Sequence, residues 1–271
     1  MDSNNLVLRD GHIHSPFCPH GTTDSMESYV EEALKHKIVE MTFTEHMCFP
    51  EYFLDDRGFQ DECAMQKEQM IDYFKAVGEI KEKYKNVIEI NTGIEVDFIE
   101  GLEEKTKELL NEYGPYLEDG ILSVHFIKIG DKYTDIDGLN GFKRAVEYYG
   151  SVEKVYDKYY ETLIMAVKYD LGKYKPKRIG HPNLIRIFNK LFPIEYKNYE
   201  LLDKLAQEIK AGDYEVDVNT SGLRKPYCGE VYVSGVFNEL VEKYGIRMVY
   251  GSDSHTSSDV GRDFHKVWLI K

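Results

Sequence analysis

Residues 6–14 read Leu-Val-Leu-Arg-Asp-Gly-His-Ile-His, and this stretch contains the pattern that decides the fold. A short apolar run of strand length leads directly into two histidines spaced two residues apart. Since alternate residues of an extended chain point to the same side, His12 and His14 can bind one ion together. A His-x-His pair also occurs by chance, so the rest of the chain must decide whether this one binds a metal.

The same unit recurs along the chain: a short run rich in Val, Ile and Tyr, followed by an amphipathic stretch. The short runs lie at residues 6–9, 38–44, 87–96, 120–124, 178–180, 214–218, 248–250 and 266–270. The amphipathic stretches lie at residues 26–36, 65–85, 102–112, 142–171, 199–211 and 231–244. Strands that alternate with helices imply parallel pairing with crossover helices, and seven or eight such units predict an α/β barrel. A doubly wound open sheet is the competing architecture.

Polar residues at the ends of the predicted strands favour the barrel. The side chains in question are His12, His14, His46, Glu95, His125, His181, Asn219, Asp253 and His255. In a (β/α) barrel the carboxyl ends of all strands converge on one face, which holds the active site. An open sheet would spread the same residues along a crevice and would bring fewer of them together.

Their density predicts a metal centre, because buried imidazoles and carboxylates are costly without a partner cation. Asp253-x-His255 repeats the chelating geometry of His12 and His14 on another strand. Spacing alone leaves His20, in a Pro- and Gly-rich turn, as either a surface histidine or a ligand. Seven histidines and two carboxylates suffice for three sites with three protein ligands each. Zn, Fe and Mn all suit such donors.

Composition limits the classes of partner. The chain has 271 residues, 42% of them hydrophobic, which predicts a globular protein, and this length fits one large α/β domain or two small ones. Its 34 basic and 48 acidic residues give a net charge of −14, which disfavours long nucleic acids and anionic membranes. We expect no transmembrane segment and no secretion signal. The four cysteines could form two disulfides, but free thiols and a cytoplasmic location are the expectation.

The motifs, taken in order, resemble those of the PHP (polymerase and histidinol phosphatase) superfamily. They are Asp-Gly-His-Ile-His at 10–14, Thr-Glu-His at 44–46, Gly-Ile-Glu at 93–95, Ser-Val-His-Phe at 123–126, Gly-His-Pro at 180–182 and Gly-Ser-Asp-Ser-His at 251–255. The resemblance implies a single domain over residues 1–271, folded as a distorted (β/α)7 TIM-like barrel with three divalent metal ions. It assigns His12, His14, Glu95 and Asp253 to one metal, and Glu95, His125 and His181 to a second. His20, His46 and His255 would bind the third.

Within the superfamily, Asn219-Thr-Ser-Gly-Leu-Arg224 and the His-x4-Arg arrangement of His181 and Arg186 are similar to the monofunctional histidinol-phosphate phosphatases. This resemblance implies hydrolysis of L-histidinol phosphate, a step of histidine biosynthesis, through attack of a metal-bridging hydroxide on phosphorus. Arg186 and Arg224 would bind the phosphate oxygens.

Three further roles concern protons and substrate specificity. Asp253, and with less support His255, is a candidate to accept the proton of the nucleophile, whereas no residue is identifiable as the general acid. A substrate with a cationic amine favours carboxylates at the mouth of the site, and Glu45 is the nearest candidate. The oligomeric state is not predictable from the sequence.

Two alternatives remain at this point. The same site could serve a phosphoesterase that acts on nucleotides or phosphotyrosine, since the acidic charge does not exclude small phosphorylated ligands. A catalytically idle metal-binding domain is the other alternative, although every expected ligand is present.

Overall fold

The computed structural model describes residues 8–267, and its framework is a closed barrel of parallel strands. The strands are β1 (Arg9–Ile13), β2 (Glu40–His46), β3 (Glu89–Asp97), β4 (Ile121–Ser123), β5 (Phe126–Ile129), β6 (Lys132–Asp135), β7 (Arg178–Ile179), β8 (Glu215–Asn219) and β9 (Arg247–Gly251). The barrel order is β1-β2-β3-β4-β7-β8-β9, and β1 closes the ring by pairing Asp10 with Met41 of β2 and with Tyr250 of β9. The predicted seven-stranded α/β barrel is therefore confirmed.

Helices surround the barrel, and all of the described ones except the shortest bury an apolar face. They are α1 (Met26–Lys35), α2 (Arg57–Asp61), α3 (Met70–Tyr84), α4 (Glu103–Tyr113), α5 (Leu139–Tyr149), α6 (Val152–Lys168), α7 (Tyr199–Ala211) and α8 (Gly235–Lys243). In α6 the buried side chains recur at the three- and four-residue spacing of a helix face, as at Tyr156, Tyr159 and Tyr160. Tyr159 Oη donates to the carbonyl of His181, so this helix supports a loop of the predicted site.

The first predicted strand has the wrong bounds, and the last one is only partly described. The first was expected at residues 6–9 but β1 runs to Ile13, so His12 lies within the strand rather than after it. A barrel strand can include these polar residues because its carboxyl end faces the site. The expected last strand, residues 266–270, lies largely outside the described residues, and Phe264–Lys266 form a 3-10 helix.

The segment between β4 and β7 also differs from the prediction. The single helix expected at residues 142–171 is interrupted at Gly150, whose φ of 82° ends α5, and Ser151 caps α6 by accepting from Lys154 N. Before these helices, β5 and β6 form an antiparallel hairpin that the strand pattern did not predict. The helix expected at residues 231–244 begins only at Gly235.

The cysteines and the helix lengths of the described residues bear on the expected disulfides and membrane segments. Cys18, Cys48, Cys63 and Cys228 are all free thiols, as expected. Among residues 8–267, none of the helices combines the length and the apolar character that crossing a bilayer requires.

A buried ion cluster lies at the end of the barrel opposite the strand carboxyl ends. Arg178, the first residue of β7, is 1% exposed and donates from Nη2 to Asp119 Oδ2 at 2.7 Å and to the carbonyl of Gly11 at 2.7 Å. Asp119 also accepts from Arg9 and from Thr42 Oγ1. Burial would raise the pKa of Asp119, but the two guanidinium groups lower it to about 2.

We predict that Asp119→Asn destabilises the fold by about 3 kcal/mol, because it removes the nearest counter-charge of the buried Arg178 guanidinium and leaves only Glu215, at 3.8 Å, within ion-pair distance. Since the folded pKa of Asp119 is depressed, its contribution is complete above the unfolded pKa near 4 and is lost as the pH falls toward 2. Urea unfolding at pH 7 and at pH 3 should show a smaller difference between wild type and variant at pH 3.

The control for this variant is Asp170→Asn, which removes an exposed ion pair with Lys107 and should leave the urea midpoint nearly unchanged. Equal midpoints for wild type and Asp119→Asn at pH 7 would contradict the role of this cluster.

Candidate metal centre

The carboxylate of Glu95, on β3, lies among imidazoles from four other segments of the chain. Its Oε2 is 3.3 Å from His12 Nε2 and 3.2 Å from His46 Nδ1. Its Oε1 is 2.9 Å from His181 Nε2 and 3.7 Å from His125 Nε2. Glu95 is 1% exposed, so each of its oxygens faces protein donors rather than bulk water.

Asp253, after β9, provides the second carboxylate of the cluster. Its Oδ1 is 3.2 Å from His14 Nε2 and 3.6 Å from His12 Nε2. The other oxygen accepts hydrogen bonds from Asn219 Nδ2 and Ser221 Oγ. The φ of Asp253 is 51°, a left-handed backbone conformation that is strained for a non-glycine residue and that concentrates at functional sites.

The remaining histidines lie on the more open side of the cluster. His20 Nε2 is 3.0 Å from His255 Nε2, and the ring of His14 stacks on His255 with centroids 3.9 Å apart. The ring of His46 lies 5.2 Å from that of His20. All nine residues that the sequence nominated as ligands are therefore gathered in one cluster at the carboxyl ends of the strands.

A second layer of acceptors orients these imidazoles. In three rings a carboxylate oxygen lies within hydrogen-bond distance of Nδ1. The pairs are Asp217 with His12 at 2.7 Å, Glu45 with His14 at 3.2 Å and Asp97 with His125 at 2.8 Å. The carbonyl of Glu62 lies 2.8 Å from His20 Nδ1. An acceptor at Nδ1 fixes the proton there and leaves Nε2 free to bind a metal.

The buried carboxylates and imidazoles of the cluster shift one another's pKa values. Burial would lower the pKa of His12, but Glu95, Asp253 and Asp217 raise it well above its usual value. Burial would likewise lower the pKa of His14, but neighbouring carboxylates raise it to about 9. Burial would raise the pKa of Glu95, yet the surrounding imidazoles hold it well below its usual range. Without a metal, protons on His12 and His14 would therefore balance part of the charge of the buried carboxylates.

The residues present fit a divalent cation. His14 Nε2 and His46 Nδ1 are buried nitrogens with no hydrogen-bond partner among the described residues, and both face carboxylate oxygens of the cluster. Four groups of three or four potential ligands have their ligand atoms within 4.8 Å of one another, and one of these groups includes Cys18. A bound cation would replace the protons and give the unpartnered nitrogens an electron-pair acceptor.

A cavity of about 590 Å³ opens beside the cluster and reaches solvent. It is lined by His20, His46, His125, His181, Asp253 and His255, together with residues of the hairpin β5-β6 and of the loop after β8. Arg224 belongs to this lining. Its Nη2 donates to the carbonyl of Ser252, while its buried Nη1 has no acceptor among the described residues.

The structure does not bring Arg186 and Glu45 to the cavity. Arg186 forms a two-point ion pair with Glu230, at 2.8 and 2.9 Å, and is absent from the described lining. Glu45 is fully buried beneath His14 and accepts from the backbone and hydroxyl of Ser15. Its carboxylate is used to orient a histidine, so it is not at the mouth where the sequence suggested it.

Sequence reasoning missed Asp97 and Asp217 as partners of the histidines. Both carried a usable signal, because Asp97 follows Glu95 by two residues and Asp217 precedes Asn219 by two, on the same side of their strands. A Cβ at Gly251 would collide with Asp217, so the glycine of the Gly-Ser-Asp-Ser-His motif leaves room for this carboxylate.

We predict that Asp217→Asn lowers metal affinity by about 10- to 100-fold, as loss of such a partner does elsewhere. The amide oxygen is an uncharged acceptor for His12 Nδ1–H, so it fixes the tautomer and raises the basicity of Nε2 less than the carboxylate does. Metal content after dialysis against a graded chelator, measured by mass spectrometry, checks this. Asp213→Asn, which removes an exposed ion pair with Arg247, is the matched control. Unchanged metal retention in Asp217→Asn would contradict the orienting role.

The sequence is similar to a known family of domains and to a curated protein. The PHP domain family model matches residues 10–221. A curated histidinol-phosphatase of Bacillus subtilis (strain 168) is 41% identical over 260 residues, which cover 94% of this chain and 96% of that protein.

Two crystal structures are similar in fold. One, from Listeria monocytogenes and provisionally named a histidinol phosphatase, is 35% identical, has a TM-score of 0.91 and is matched over 96% of this chain and 100% of that one. The other is a histidinol phosphate phosphatase of Lactococcus lactis, crystallised with zinc, L-histidinol and phosphate. It is 21% identical, has a TM-score of 0.69 and is matched over 93% of this chain and 87% of that one. With its barrel, its cluster of histidines and carboxylates and these similarities, the chain belongs to the PHP domain family.

Proposed function

We propose that this protein is a metal-dependent histidinol-phosphatase, which releases phosphate from L-histidinol phosphate. The observation that carries the proposal is the convergence of seven imidazoles and two carboxylates beside a cavity that Arg224 lines. The 41% identity to the Bacillus subtilis histidinol-phosphatase, over nearly the full length of both chains, supports the choice of substrate.

We assign three divalent ions to the cluster, with zinc, iron and manganese as candidates. His12, His14, Glu95 and Asp253 would hold one, Glu95, His125 and His181 a second, and His20, His46 and His255 the third. Divalent ions supply neutralisation of the phosphoryl oxygens and a water of lowered pKa. The orienting contacts of Asp217, Glu45 and Asp97 keep the imidazoles in the required tautomer.

Arg224 binds the phosphate in this proposal. Its guanidinium is held at the cavity wall by the carbonyl of Ser252 and by an ion pair with Asp259 at 3.4 Å, and its buried Nη1 has no acceptor among the described residues. Arg186 could reach a phosphate only by leaving Glu230. We therefore assign Arg186 to holding Glu230, in the loop that follows Arg224, rather than to the phosphate.

Asp253 is the candidate to accept a proton from the attacking water. Burial would raise the pKa of this carboxyl, but the surrounding histidines hold it well below its usual range, so it is ionised at neutral pH. Asn219 and Ser221 fix one of its oxygens and orient the other toward the cluster. His255 remains the weaker candidate, because a metal-bound imidazole cannot exchange protons freely.

Phosphate release from L-histidinol phosphate, nucleoside monophosphates and phosphotyrosine by protein of known metal content tests the function. We expect kcat/KM for histidinol phosphate to exceed the others by roughly 100-fold, which corresponds to about 3 kcal/mol in transition-state binding. Removal of metal by a chelator should abolish the activity, and added Zn²⁺, Mn²⁺ or Fe²⁺ should restore it. A preference for nucleotides or phosphotyrosine would reassign the substrate, and full activity after complete metal removal would refute the mechanism.

We also predict that Arg224→Ala lowers kcat/KM about 10- to 100-fold at unchanged metal content, the usual contribution of a hydrogen bond to a charged group. Steady-state kinetics on metal-quantified protein checks this. Arg247→Ala, which removes an exposed arginine from the start of β9 at the other end of the barrel, should retain wild-type kinetics. Wild-type turnover by Arg224→Ala would contradict phosphate binding by this residue.

A further inference from the structure

Two histidines on the open side of the cluster are oriented by backbone groups. Nδ1 of His20 lies 2.8 Å from the carbonyl of Glu62. The nearest acceptor to Nδ1 of His255 is the carbonyl of Asp253 at 3.2 Å, while the Asp253 carboxylate is 3.7 Å away. Three deeper histidines of the cluster are oriented by buried carboxylates instead. The positions of His20 and His255 therefore depend on the loops that carry them.

These two loops keep a short distance between the rings. His20 belongs to the loop between β1 and α1, and His255 to the loop that follows β9. His20 is exposed and the His255 side chain is 30% exposed, yet their Nε2 atoms are 3.0 Å apart. Two nitrogens that share a tetrahedral zinc ion lie roughly 3.4 Å apart, since each Zn–N bond is about 2.1 Å long. A site of this kind must be held to within about 0.5 Å, so the contact between the loops matters for metal binding.

The carboxylate of Asp24, at the end of the first loop, joins the two loops. Its Oδ2 accepts three hydrogen bonds: from Ser257 N at 2.9 Å, from Ser257 Oγ at 2.8 Å and from Thr256 Oγ1 at 3.1 Å. Thr256 directly follows His255 in the chain. A backbone hydrogen bond supports the same junction, because Thr22 N donates to the carbonyl of His255 at 2.9 Å. The loop of His255 is thus attached to the loop of His20 on both sides of the candidate ligand.

Asp24 itself is attached to the packed outer layer of the barrel. It immediately precedes Ser25, which caps α1 by accepting from Ser28 N. The first turn of α1 buries Met26 and Tyr29 in the core. A carboxylate at this place is therefore anchored by a packed helix, and it transmits that anchorage to the loop after β9.

The hydrogen bonds of Asp24 are made to an ionised acceptor. The backbone N–H and the hydroxyl of Ser257 lower the pKa of Asp24, so its carboxyl is charged at neutral pH. Hydrogen bonds to a charged acceptor are roughly twice as strong as those between neutral groups. Three of them on one oxygen make Asp24 the strongest polar link that the described residues form between these two loops.

We propose that Asp24 is a positioning residue for the third metal ion, the one assigned to His20, His46 and His255. Its carboxylate holds the loop of His255 against the loop of His20, acting through Thr256 and Ser257, and thereby sets the affinity of that ion. This inference rests on the three-ion centre of the proposed function.

The test measures zinc bound per chain, by mass spectrometry, at free zinc concentrations set by a chelator. Wild type should bind three ions. In Asp24→Ala one of the three should need about tenfold more free zinc, at the lower end of what loss of an orienting partner costs, while the other two keep their wild-type affinity. Asp24→Asn should lie between the two, because its amide oxygen still accepts hydrogen bonds but carries no charge. Asp170→Ala, which removes an exposed acceptor of Gly172 N, is the matched control and should bind all three ions as wild type does.

Phosphate release gives a second readout. At a free zinc concentration that leaves the third site of Asp24→Ala mostly empty, kcat for L-histidinol phosphate should fall about tenfold, and zinc sufficient to fill the site should restore it to within about twofold. A kcat that stays low at saturating zinc would overturn the role of Asp24.

The stoichiometry separates failure of this inference from failure of the proposed function. Unchanged affinity for the third ion in Asp24→Ala, or equal weakening of all three ions, would overturn the positioning role while leaving the phosphatase assignment intact. If Asp24→Ala does not fold, Asp24→Asn decides by the same criterion. Wild type that binds fewer than three ions, or that does not hydrolyse L-histidinol phosphate, would instead refute the proposed centre or function and, with it, this inference.

Discussion

The shared carboxylate of Glu95 is the constraint on which this site depends. One buried side chain faces imidazoles from β1, β2, the loop after β4 and the loop after β7, and only a closed barrel can bring those segments to a single point. Leaving such a carboxylate among so many donors without a cation requires protons on the histidines. The closed barrel therefore gathers a buried negative charge, and a bound cation would neutralise it.

The two ends of the barrel solve the problem of buried charge in different ways. At the end where the strands begin, Arg178 and Asp119 compensate each other within the protein, so that end is stable and closed without any ligand. At the other end the carboxylates Glu95 and Asp253 meet imidazoles, whose charge depends on a proton or a metal. The charges of Arg178 and Asp119 thus compensate each other, whereas the carboxylates of Glu95 and Asp253 depend on an exchangeable proton or cation.

The net charge of −14 has a different meaning once the site is known. Part of the acidic excess lies in carboxylates that hold histidines, such as Asp217 and Asp97, where it supports a cationic centre. Another part, such as Asp259, lines the cavity and forms an ion pair with Arg224. A global excess of acid is therefore compatible with a small phosphomonoester, because the field inside the cavity is set by a few residues and by divalent ions.

The sequence by itself determined the barrel and the set of candidate ligands, because strand-ending polar residues such as His46, His181 and Asp253 recur in the order that a (β/α) barrel brings to one face. It could not place Glu45 or Arg186, since their partners lie on other segments of the chain. The carboxylate of Glu45 contacts His14, and Arg186 forms an ion pair with Glu230. Periodicity is a local property and identifies strand ends, whereas the pairing of one charge with another depends on three-dimensional distance, which only the tertiary structure decides.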